Sequence, residues 1–238
     1  MHVAQPEQIL GISHYSHDPE ATSIPLDVAL RFRATSGTAE EVVALAPDIV
    51  LSGPHASPAT IFALERMHIR ILKFSVPESI AESETQIRQI SEVVAAPERG
   101  EAMIAAIDRA VVSARPRDEH RLSVVIWQGG GMVPGRGTLA DELLRTTGFR
   151  NMSGEYGLSK WDVLPLEYLV ASPPALVLSV GTGEDERDRM LGHPVVRKFA
   201  ERVAFRKYPF RLLQCGGPTI IEAVARLAEV RDEVEARQ

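Results

Sequence analysis

A single cysteine, no basic tract and no long apolar run set the first limits on this chain of 238 residues. With Cys215 alone there is no intrachain disulfide and no CxxC metal or redox pair. Net charge is −6 and the isoelectric point about 5.7, so the electrostatic footprint of a nucleic-acid binder is missing. No apolar stretch approaches the roughly 20 residues of a membrane helix. The opening MHVAQPEQILGISHY has no basic start, long apolar core or small-residue cleavage site, and so does not read as a secretory signal. Taken at face value the chain is cytoplasmic if Met1 is its true start. GxSxG, HExxH, GxxxxGK[ST] and GxGxxG are all absent, and no two carboxylates stand at a spacing that suggests acid–base work.

What is there is an ordinary globular composition, 45% apolar and 24% charged, at a length that suits one large domain or two small ones. Strands are expected at 8–13, 49–53 and 69–74, with helices at 38–46 and 59–67 and a polar loop from His14 to about Pro25. Two helical stretches follow, 79–95 and 98–114, broken at Ala96-Pro97. The second carries Met103, Ile104, Ile107, Val111 and Val112 close to one face. A new alternation then begins: strand 122–127, glycine loop 129–137, helix 138–147, strand 149–152, helix 165–172 and strand 175–180. A helix near 194–204, a strand at 210–214 and a helix over 218–236 close the chain. Strand–helix alternation of this kind makes an α/β protein with parallel sheets covered by helices.

The chain also repeats itself. Ala39–Ser52 (AEEVVALAPDIVLS) matches Leu166–Ser179 (LEYLVASPPALVLS) without a gap, since 167 − 40 and 179 − 52 both equal 127. Glu40 pairs with Glu167, Pro47 with Pro174, and Ile49-Val50-Leu51 with Leu176-Val177-Leu178. A first-turn glutamate stabilises its own helix by ~0.3–1 kcal/mol through the dipole. That explains a glutamate in each copy but not why both copies keep it in the same register. Two similar lobes are implied, 1–95 and 118–238, with 96–117 as a connecting helix. The halves are unequal, because a strand and a helix precede 149–152 while only eight residues precede 8–13. The first lobe is expected to lack a strand–helix unit, exposing a sheet edge through which a homodimer can form.

EEVVALAPDIVLSG (40–53) resembles the helix, Pro-Asp and strand segment of periplasmic binding proteins for cobalamin and ferric siderophores. GISHYSHDP (11–19) is similar to the segment upstream of it, and KWDVLPLEYLVASPPALVLSVG (160–181) to its second-lobe equivalent. The resemblance spans essentially the whole chain. It implies two Rossmann-like lobes joined by a long helix, with a metal chelate (ferric siderophore, cobalamin or haem) held in the cleft between them. It implies a periplasmic protein that is not an enzyme and has no cofactor of its own. The partner it implies is the permease dimer of an ABC importer, whose arginines engage a surface glutamate on each lobe, by position Glu40 and Glu167. A tryptophan of that family's first lobe would align near Ser36, so this contact is absent.

Loops at the carboxyl ends of strands line the cleft in open α/β sheets. That selects His14, Tyr15 and His55 from the first lobe and Trp127, Arg136 and Trp161 from the second. Tyr15 and Trp161 offer flat faces to a macrocycle or catecholate. Trp127 ends an apolar strand and suits packing as well as binding. Arg136 suits either an anionic ligand group or solvent. His14, His17 and His55 invite a metal site, but their spacing is not that of a helical ligand pair and only Asp18 stands near as an acidic partner, so no metal is assigned. The alternative is a nucleotide- or phosphate-binding α/β enzyme using the glycine loop at 128–138, which follows a strand and precedes a helix.

Overall fold

The computed structural model describes residues 1–181 and 203–236. In the first lobe β1 (Ile12–Ser13) leads through a 3-10 turn at His14–His17 and the short helix α1 (Leu26–Ala29) to β2 (Ala34–Thr35), its parallel partner. Helix α2 (Ala39–Ala44) starts where the Thr38 hydroxyl accepts the Glu41 N–H, and it ends ahead of Pro47, which cannot continue a helix. Strand β3 (Ile49–Ser52), helix α3 (Pro58–Arg66, with proline in its first turn) and β4 (Arg70–Lys73) form a parallel β–α–β unit. Two helices follow. α4 (Ile80–Val93) is capped by the Ser79 hydroxyl, and α5 (Pro97–Ser113) again opens on proline.

The second lobe is built on β5 (Leu122–Gln128), β6 (Met132–Pro134), α6 (Leu139–Thr146), β7 (Phe149–Asn151), α7 (Met152–Glu155), β8 (Trp161–Val163), α8 (Leu166–Ala171) and β9 (Leu176–Val180). β10 (Ala204–Lys207), α9 (Arg211–Gln214) and α10 (Thr219–Glu235) complete it. The main sheet runs β10-β9-β5-β7, all parallel. β5 is central and buried on both faces, which is why it reads as a continuous apolar run. One side packs on α5, α6 and α10 through Val124, Ile126, Ile107, Leu144 and Leu227. The other side packs Val125 and Trp127 on Val133, Leu164 and Leu169. Ile87 of α4 and Ile104 and Ile107 of α5 belong to the first of these cores, so the helical joint rests on the second lobe.

Several expectations shift. Residues 8–13 give a 3-10 turn at Pro6–Gln8 and only two strand residues, because β2 is short and offers β1 no longer ladder. The strand expected at 210–214 is helix α9, and the strand lies earlier, at Ala204–Lys207. Phe205 packs that earlier segment onto the sheet, while Leu212 turns into the core from a helical turn begun at Pro209. The helix expected near 194–204 lies outside the described residues, except for its end, where Ala204 opens β10.

The repeat is visible in space. α2 and α8 have the same six-residue length at the same offset, and each is followed by a strand, β3 and β9. β9 lies between β10 and β5, whereas β3 pairs with β4 alone and β1-β2 stands as a separate pair. Among the described residues no first-lobe strand takes the position of β5. Leu51 on β3 is 46% exposed, while its repeat counterpart Leu178 is 0% exposed. Leu178→Ala should therefore cost about 2–5 kcal/mol in urea denaturation through the cavity it leaves, and Leu51→Ala under about 0.5 kcal/mol. Equal losses at the two sites would contradict this difference in cover.

Candidate functional site

In a β–α–β unit the loops after the strands and the N-termini of the preceding helices lie at the same end of the sheet. That end of the first lobe carries the loop after β1. The 3-10 turn holds Tyr15 64% exposed, with its ring tilted 34° to that of His14 at 4.1 Å between centroids. His14 Nδ1 lies 3.3 Å from the Thr35 carbonyl. His17 Nε2 sits 3.1 Å from the Ala29 carbonyl and 3.2 Å from that of Phe32, so this imidazole staples the loop to α1. His55 is exposed in the turn after β3. No group of three His, Cys, Asp or Glu side chains within reach of one metal ion occurs among the described residues.

In the second lobe the glycine loop is a folded ribbon. A turn at Gly129–Gly131, with Gly130 at φ 79° and Gly131 at φ 83°, reverses the chain into β6, which pairs antiparallel with β8 and sets Pro134 opposite Trp161. The ribbon uses its own backbone donors. Gly135 N–H donates to the Lys160 carbonyl at 2.6 Å and Arg136 N–H to that of Leu158 at 3.1 Å. Those amides are therefore engaged within the protein and are not free to cradle a phosphate, and nothing in the loop favours the nucleotide-enzyme reading. Lys160 has φ 57°, a left-handed conformation that costs a side-chain-bearing residue about 1–2 kcal/mol. Its own N–H donates to the Arg136 carbonyl at 2.8 Å, which helps to hold it there. The corner it makes presents Trp161, 40% exposed, from the ribbon.

Trp127, expected to line the cleft, is instead fully buried beneath Gly131; its indole N–H has no partner among the described residues, and it shows no surface to a solute. β5 is the central strand, so its side chains are covered from both faces. Arg136 runs its stem across Gly154 and places its guanidinium 3.5 Å from the Glu155 carboxylate. Sequence reasoning missed three further groups. Lys160 reaches from the second lobe to the Glu78 carboxylate on the segment leaving β4. Arg211 forms a two-pronged pair with Glu222. A cavity of about 310 Å3 opens between the lobes, walled by Pro19, Thr22, Ile24 and Leu26 on one side and by Arg211 and Glu222 on the other. Its signal was weak, because Arg211 sits in a segment that reads as strand by composition. Cys215 is exposed and follows α9.

The paired glutamates differ from their neighbours. Glu41 accepts from the Ser36 N–H at 2.8 Å and the Ser36 hydroxyl at 2.6 Å, and these bonds hold its carboxyl below the usual range. Glu40, one residue earlier, is exposed, and so is Glu167. Neither has a hydrogen-bond or ion-pair partner among the described residues. Both occupy the second helical position of α2 or α8, at the cleft end of their lobes.

The sequence profile described as periplasmic binding protein matches residues 2–200. The chain belongs to that family of binding proteins. No curated protein sequence matches it. Among solved structures it is similar to the periplasmic haem-binding protein RhuT of Roseiflexus sp. RS-1, with TM-score 0.80, 20% identity, and 96% of this chain and 91% of that one covered. It is also similar to two proteins of Vibrio cholerae. The haem-binding protein HutB gives TM-score 0.77 at 15% identity, covering 95% and 91%. The vitamin B12-binding protein BtuF gives 0.71 at 14%, covering 98% and 92%. At such identities the likeness establishes the fold.

One glycine tests how the ribbon presents Trp161. A Cβ on Gly135 would lie 2.5 Å from the Leu158 carbonyl oxygen. Gly135→Ala in a Trp127→Phe background should therefore shift the Trp161 emission and raise its quenching by iodide. An unchanged spectrum would show that the ribbon does not depend on this close approach.

Proposed function

We propose that this protein is the solute-binding component of an ABC importer, capturing a metal chelate between its lobes and delivering it to a permease dimer in the inner membrane. Family membership supports the binding role and the periplasmic setting. The observation that carries the docking half is the register-matched pair Glu40 and Glu167, both exposed at the cleft end and both unpartnered among the described residues, beside a Glu41 engaged in capping. Arginine–carboxylate pairs can be bidentate and fix orientation, and two of them, one per lobe, define a single pose. Tyr15 and Trp161 supply exposed aromatic faces from opposite lobes, with His14, His55 and Arg136 around them. The relatives named above bind haem and vitamin B12, which supports a flat metal macrocycle as the solute.

Glu40→Ala with Glu167→Ala should leave solute affinity within about twofold and reduce stimulation of the transporter ATPase in proteoliposomes by tenfold or more. Full stimulation by the double variant would refute the docking role. Glu41→Ala serves as the control, since its loss affects α2 rather than docking. The side of β3 that is unpaired among the described residues further suggests a homodimer through the first-lobe sheet. Sedimentation equilibrium at 5–50 µM (about the range of a weak dimer) should show self-association that Leu51→Lys abolishes, and a monomer throughout would refute it.

A further inference from the structure

We propose that the cleft selects a chelate of zero or positive net charge, fringed with amide-type N–H donors, over one bearing carboxylates or catecholates. This rests on the solute-binding reading above and narrows it.

Three of the long cationic side chains around the cleft are already paired with a carboxylate of the protein. Arg136 faces Glu155 at 3.5 Å. Lys160 bonds Glu78 across the lobes. Arg211 presents its fork to both oxygens of Glu222, one contact being 2.6 Å. An arginine used this way has given up the two parallel N–H groups with which it would clasp a ligand carboxylate. A ligand anion entering there must displace Glu222, leaving that carboxylate uncompensated beside it.

Most of the remaining charges act in the same direction, Lys207 being the exception. Asp18 and Glu20 lie on the loop after β1, and Asp162 is on β8 beside Trp161. Asp18 and Asp162 each accept one backbone N–H, from Glu20 and Val163, and Glu20 adds its field to that of Glu222 at Arg211. Lys73, at the end of β4, is paired with Glu65, and Lys207, at the end of β10, is exposed. Setting the Lys73–Glu65 pair aside, Asp18, Glu20, Glu78, Glu155, Asp162 and Glu222 outnumber Arg136, Lys160, Lys207 and Arg211 among the described residues. A cleft with this excess repels a polyanion and offers acceptors to N–H donors, while Tyr15 and Trp161 serve the apolar faces of the solute.

The test is a fluorescence titration of the full chain carrying Trp127→Phe, so that Trp161 alone reports. The probes are cyanocobalamin (uncharged and amide-fringed), ferrioxamine B (cationic), haemin (two carboxylates) and ferric enterobactin (a tris-catecholate anion). At least one of the first two should bind tenfold or more tighter than both anions. Glu222→Gln, which releases Arg211, should tighten haemin or ferric enterobactin at least fivefold. Glu155→Gln, releasing Arg136, gives a second variant should Glu222→Gln unfold. Equal or tighter binding of an anion by the unsubstituted cleft overturns the inference while leaving the solute-binding reading intact. The same holds if neither variant changes the preference. Silence from all four probes overturns the chelate reading and this inference with it.

Discussion

The second lobe depends on β5 lying between β9 and β7. That one strand carries two apolar faces, anchors α5, α6 and α10 on one side, and on the other seats the ribbon that presents Trp161. The buried indole of Trp127 belongs to this support: its ring lies under Gly131, so the glycine turn rests on the strand end. The first lobe has the same helix–strand repeat with no strand in that position among the described residues, and Leu51 of its β3 is correspondingly uncovered. The two lobes therefore share a design but differ in how firmly it is braced.

This difference bears on how the protein can work. α4 and α5 pack with the second lobe, and the segment between β4 and α4 crosses from one lobe to the other. Three contacts tie that crossing to the second lobe: Glu78 with Lys160, the Ile80 N–H with Glu142 at 2.9 Å, and the Gly217 N–H with the Ser83 hydroxyl at 2.5 Å. With the segment ahead of α4 tethered in this way, the cleft is set mainly by the surfaces facing it.

Much of the architecture could be read from the sequence because its signals are local. Thr38, Pro47, Pro58, Ser79 and Pro97 mark helix starts and stops, and the apolar runs at 122–127 and 175–180 mark buried strands. The gap-free repeat by itself puts Glu40 and Glu167 in matching helical positions. Trp127 was ambiguous because a strand-end tryptophan looks the same in sequence whether it caps a core or lines a cleft. The segment 210–214 was misread because its apolar content does not distinguish a short buried helix from a strand. Lys160, Glu78, Arg211 and Glu222 were not legible at all: their significance lies in pairings between residues up to 82 positions apart.

A solute held between the lobes touches both of them, and amide hydrogen exchange with and without cyanocobalamin reads this out. Added protection is expected in the loop at 14–25 of the first lobe together with 158–164 and 208–217 of the second, with little change along β5. Protection confined to one lobe, or none at saturating solute, would contradict it.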